Sequence, residues 1–100
     1  ARILEGGWRP VGLRSDRVDG YTVETVIYRR GADRLGYSLV VGEPEPPAGA
    51  RRLGRSGVLL RSFEQGAVVA VAWGGDGVSE VVAGVGRSRG SLYDLAAGPV

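Results

Sequence analysis

Apolar and polar residues alternate with a period of two over most of this chain, and glycine-bearing turns interrupt the alternation at short, regular intervals. That pattern predicts an antiparallel β meander. The first β-rich run is Trp8 to Arg14. Asp19-Gly20 follows it, and Asp-Gly is a strong hairpin signal because both central positions of a type I′ turn need positive φ. Between Tyr21 and Arg29, the residues Tyr21, Val23, Thr25 and Ile27 alternate with Thr22, Glu24, Val26 and Tyr28, as suits a half-buried strand. Gly31-Ala32-Asp33 makes the next turn, and in Arg34 to Val41 the side chains of Leu35, Tyr37, Leu39 and Val41 share one face. These two strands are expected to pair directly.

Gly42 to Ala50 contains Pro44, Pro46 and Pro47 and cannot join a ladder, which makes it an extended surface loop dividing the sheet's sequence into halves. Beyond it the expected elements are a short strand at Arg51 to Arg55, a Ser56-Gly57 turn, Val58 to Glu64, a Gln65-Gly66 turn, Ala67 to Trp73, and Val78 to Gly84 after a turn at Gly74 to Gly77. The run Ala67 to Trp73 is the most apolar. It is expected to be central, with its small residues Ala70 and Ala72 on a face that a helix could approach closely. Leu92, Leu95 and Ala96 then follow helical spacing, Ser91 with Asp94 resembles a capping box, and Gly98-Pro99 would end the helix. The predicted fold is mostly β (α+β): an antiparallel meander sheet of about six to seven strands with a short C-terminal helix packed on it.

One hundred residues with 43% hydrophobic and 24% charged content fit a single globular domain, 1–100. No stretch reaches the roughly 18 apolar residues of a membrane span. The chain opens at Ala1 with no initiating Met and reads as a piece excised from a larger protein. Cys, His, Met, Lys and Asn are all missing, so thiolate, imidazole and zinc-ligand chemistry is not available to it. All 13 basic residues are arginines, set among 11 acids for a net charge of +2. The weak, dispersed field argues against nucleic acid as a partner.

Several segments invite a chemical reading. Gly84-Val85-Gly86-Arg87-Ser88-Arg89-Gly90 runs from strand to helix as a phosphate loop would, but Arg89 stands where the last glycine of a dinucleotide loop belongs, leaving a strand-to-helix connection. Gly74 to Gly77 carries one carboxylate, Asp76, too few for calcium, and reads as a hairpin turn. Arg51, Arg52, Arg55 and Arg61 lie close together after the proline loop. They offer a surface for an anion or partner, whether phosphate, carboxylate or anionic lipid; the plainer alternative is a solvated edge that discourages aggregation. Glu24, Glu64 and Glu80 sit in predicted strands, but no acid pair stands out, and a serine nucleophile would find neither His nor Lys as its base. The expectation is no enzyme, no metal and no small-molecule cofactor.

Three stretches, GWRPVGLRSDRVDG (Gly7 to Gly20), VIYRRGADRLGYSLVVG (Val26 to Gly42) and the run from VVAVAW (Val68 to Trp73) to SLYDLAA (Ser91 to Ala97), carry a resemblance. The chain is similar to the extracytoplasmic C-terminal domain of membrane-bound, zinc-binding anti-sigma factors from high-GC bacteria. In such proteins a cytoplasmic zinc-binding domain sequesters an ECF sigma factor and one membrane helix leads to the outer domain. The resemblance implies a membrane-anchored, extracytoplasmic sensory or protein-interaction domain, with a protein partner or protease on the outer side. A sigma factor would be reached only through a cytoplasmic domain outside this chain. Where similar chains carry His-Thr-Cys, this one has Val78-Ser79-Glu80, so redox or metal sensing there is not implied, and Glu80 is expected to be exposed. The alternative is a freestanding exported ligand-binding or lipoprotein-like β module using the arginine-rich surface.

Overall fold

In a computed structural model that describes residues 3–98, seven strands form one antiparallel sheet with a single helix on it. The strands are β1 (Arg9–Val18), β2 (Tyr21–Arg30), β3 (Asp33–Val41), β4 (Arg51–Arg55), β5 (Val58–Gln65), β6 (Val68–Gly75) and β7 (Val78–Val85). A 3₁₀ turn at Leu4–Gly6 precedes them, and α1 (Arg89–Ala97) follows. The spatial order is β1-β2-β3-β7-β6-β5-β4. Two meanders, β1 to β3 and β4 to β7, are thus joined where β7 pairs with β3.

Turn chemistry fixes every hairpin. Asp19-Gly20, Ser56-Gly57 and Asp76-Gly77 have positive φ at both central residues, as type I′ turns require. Gly31 and Gly66 have it at the first position only, before Ala32 and Ala67, which is the type II′ arrangement. Asp33 and Gln65, expected in turns, are therefore already paired strand residues, with Arg30 and Val68 respectively. Near the start of β1 the register shifts between Pro10 and Gly12, a bulge that absorbs the proline on an edge strand.

The helix covers the sheet face that carries Leu35, Leu60, Val71 and Val82, all of which join Ile3, Trp8 and Leu92 in the buried core. This corrects the expectation drawn from β6. The helix lies over its large residues, while Ala70 and Ala72 belong to the opposite face, and β7 rather than β6 occupies the middle of the sheet. The shared face of β3 also divides along its length: Leu35 is buried and Tyr37 half-buried, but Leu39 and Val41 are exposed because α1 and the N-terminal segment do not reach that end.

The helix starts one turn earlier than the Ser91-Asp94 pattern suggests. Ser88 is its N-cap: its backbone is extended and its Oγ accepts a hydrogen bond from the Ser91 N–H at 3.1 Å. Ser91 Oγ in turn donates to the Ser88 carbonyl at 2.8 Å. Gly98 closes the other end, its N–H bonded to the Asp94 carbonyl at 2.9 Å.

The proline segment, residues 42–50, connects β3 to β4 at the far edge and crosses the face opposite the helix. Its start is pinned. Gly42 N–H donates to the Gly77 carbonyl at 2.6 Å and Ser79 Oγ to the Gly42 carbonyl at 2.9 Å, while the Gly77 N–H donates to Glu43 Oε2 at 3.3 Å. Only glycine serves at position 42, where φ is +123° and a Cβ would lie 2.6 Å from the Tyr21 ring.

Candidate functional site

The four arginines proposed as a surface do not form one. Successive side chains of a strand point to opposite faces, so Arg51 and Arg55 lie on the helix side and Arg52 on the other side, crossed by the proline segment, here the strap. Arg55 is engaged structurally. Its Nη1 meets Asp94 Oδ1 at 2.6 Å and its guanidinium carbon stands 5.5 Å from the Tyr93 ring centroid, tying β4 to the helix. Arg51 is exposed. Arg52 and Arg61, by contrast, are direct cross-strand partners on the strap face.

Two like charges opposite each other in a sheet repel. Here they face the acidic strap: Glu43, Pro44, Glu45 and Pro46 line one shallow recess with Arg52 and Arg61. Deeper in, a cavity of about 120 Å³ opens between the strap and the sheet. Phe63, Ala72 and Val81 contribute its apolar wall, Ser79 a hydroxyl, Arg61 a cation, and Glu43 and Glu45 two carboxylates. The volume equals about four water molecules' share of liquid, room for a single side chain or a small compound. Arg61 Nε is buried there and has no hydrogen-bond partner. An unpaired buried donor on a cation is energetically unfavourable, and the Nε atoms of Arg87 and Arg89 share this state.

A second polar group lies on the helix face. Glu80, expected to be exposed, is half-buried and accepts a short hydrogen bond from the Tyr37 hydroxyl, with Trp73 beside it, its ring centroid 6.4 Å from that of Tyr37. The correction follows from register: Glu80 sits between Leu39 and Trp73 on neighbouring strands, whose side chains screen it. Burial pushes the Tyr37 phenol well above its ordinary value, and the hydrogen bond to Glu80 and that carboxylate's charge push it further. The folded protein therefore keeps this proton where the unfolded chain releases it, near pH 10. The stability is fully present below that pH and is lost as pH rises above it. Denaturant titrations at pH 8 and pH 11 are expected to show a smaller alkaline loss in Tyr37→Phe than in the natural sequence; equal losses would place its source elsewhere.

The other carboxylates expected in strands are separately occupied. Glu24 accepts from Ser15 Oγ at 2.6 Å, and Glu64 pairs with Arg89 at 3.0 Å. Among the described residues no group of three or more acids is placed to hold a metal ion. Sequence reasoning singled out Arg61 but missed the strap that covers it. Glu-Pro-Glu-Pro-Pro following a strand was the available signal, a stiff segment whose two acids complement the arginines of β4 and β5. Comparison with protein-family models, with curated proteins and with solved structures finds no match for this chain.

Proposed function

We propose that this domain is a non-catalytic sensory or protein-interaction module of an extracytoplasmic regulator, of the kind borne by membrane-anchored anti-sigma factors, and that it takes a small group with an apolar body and a polar end into the strap cavity. The apolar wall of Phe63, Ala72 and Val81, set beside Arg61 and the Ser79 hydroxyl under the strap, carries this reading. The pairing of polar groups of both signs with Phe63 and Val81 suits a small polar group with an apolar body, whether free or at the tip of a partner protein. The carboxylates that line it, Glu43 and Glu45, belong to the strap itself. A freestanding exported binding module would use the same cavity, so the observation supports the site under either parentage.

One experiment separates the two. The natural gene product containing this chain is purified from its host intact, without residues 1–100, and with Arg61→Leu. The regulator reading expects a sigma factor to co-purify with all three forms, while Arg61→Leu alters the transcriptional response to the inducing condition. A sigma factor absent from every form rejects the anti-sigma parentage. An unchanged response in Arg61→Leu rejects the strap cavity as the sensing site.

A further inference from the structure

We propose that β1 is a dimerisation edge, along which two copies of this chain pair antiparallel about a twofold axis at Ser15 to give one continuous fourteen-stranded sheet. β1 has a neighbour on one side only, and nine of its ten residues are exposed, Leu13 at 74%.

Backbone parity decides which residues of β1 face the open edge. The two-residue turn Asp19-Gly20 closes on Val18 and Tyr21, which in such a hairpin form a hydrogen-bonded pair. Pair types alternate along an antiparallel ladder, so Val18, Asp16 and Arg14 spend their N–H and C=O groups on β2. Arg17, Ser15 and Leu13 direct theirs to the open edge. A twofold at Ser15 makes Ser15 face its own copy and Leu13 face the partner's Arg17, all through groups that are free.

Charge then selects the register. Centring on Ser15 sets Arg14 opposite the partner's Asp16, twice. Centring on Arg14, Asp16 or Arg17 sets each of those opposite itself, and centring on Leu13 sets Arg17 opposite Arg9; all four bring like charges together. Arg14 Nε already meets Asp16 Oδ2 at 2.7 Å within one chain, so the two side chains lie on one face and within mutual reach. Leu13 gains cover from the aliphatic stem of the partner's Arg17. The bulge between Pro10 and Gly12 ends the pairing beyond Gly12, which limits the contact to one register and blocks longer stacking.

The test is molar mass by light scattering and sedimentation over a range of concentrations, on the full chain. The natural sequence is expected at twice its 10.5 kDa. Arg14→Glu and Asp16→Arg are each expected to weaken self-association roughly tenfold or more, because two favourable cross-strand pairs become two repulsive ones. An equimolar mixture of these two variants should dimerise again: the carboxylate introduced at 14 meets the arginine introduced at 16, and the native Asp16 of one meets the native Arg14 of the other. Ser15→Pro, which removes an outward N–H together with the Ser15 Oγ hydrogen bond to Glu24, should be monomeric while its circular dichroism spectrum still shows the folded sheet. A monomeric natural sequence, single variants that dimerise as well as it does, or a mixture that stays monomeric would each overturn the proposal.

Discussion

Replacing Trp8 with alanine is expected to lower the unfolding free energy by about 3–5 kcal/mol, read from urea titration at neutral pH. The ring is 2% exposed and belongs to the same buried cluster as Ile3, Leu35 and Leu92. It also anchors two cations. The guanidinium carbon of Arg30 lies 4.4 Å from the ring centroid and that of Arg87 5.4 Å, while Arg30 Nη1 donates to the Gly6 carbonyl at 2.9 Å. One aromatic ring thus binds the N-terminal segment, the end of β2 and the loop entering the helix. Each cation contact adds about 0.5–2 kcal/mol according to its desolvation. The indole Nε1 is buried without a partner, so Trp8→Phe, which deletes that orphan and keeps an aromatic face, should cost clearly less than Trp8→Ala. Against a total of about 5–15 kcal/mol for a domain this size, the alanine variant sits near the limit of folding. A loss below about 1 kcal/mol would show that the N-terminal segment is not docked in solution.

The second large effect concerns the helix. Leu92→Ala is expected to cost about 2–5 kcal/mol, and to raise amide exchange through α1 more than through the strands. Nine residues are too few for a helix to stand alone in water, where about 12–15 are marginal even for alanine-rich sequences. Its persistence depends on docking. Leu92 is the one helical side chain sealed completely from solvent, and Tyr93 Oη donates to Ser62 Oγ at 2.7 Å, which also satisfies the buried serine of β5. The flanking ion pairs, Arg55–Asp94 and Arg89–Glu64, each have an exposed carboxylate, and pairs of that kind contribute little. Exchange that rises equally throughout the domain would mean that the helix and sheet unfold as one unit.

Local chemistry made much of this architecture readable. Asp19-Gly20 and Ser56-Gly57 announced their hairpins because few residues tolerate two successive positive φ values, and the period of two between them named the strands. The β3–β7 seam was not readable: no turn joins those strands, and their pairing brings Gly36 to Ala83 and Val41 to Val78 across long stretches of chain. The helix start was misplaced because Ser88 and Ser91 both look like caps, and only the extended backbone at Ser88 distinguishes them. The arginine cluster failed for a simpler reason. Arg51 and Arg52 are adjacent in a strand, so proximity in sequence set them on opposite sides of the sheet. Arg61 could be placed on a face by its period, yet its cover came from a proline segment whose path no local rule specifies.

The seam also orders events in time. Each meander closes through neighbouring strands and two-residue turns, contacts that form early because little chain entropy opposes them. Joining the halves needs β7 to find β3 across the whole of β4 to β6 and the strap, the non-local step that slows folding. During synthesis the first meander must therefore wait with the β3 edge open, and only the last strand made can close it. The free edge that matters most to aggregation is one that the finished protein does not show.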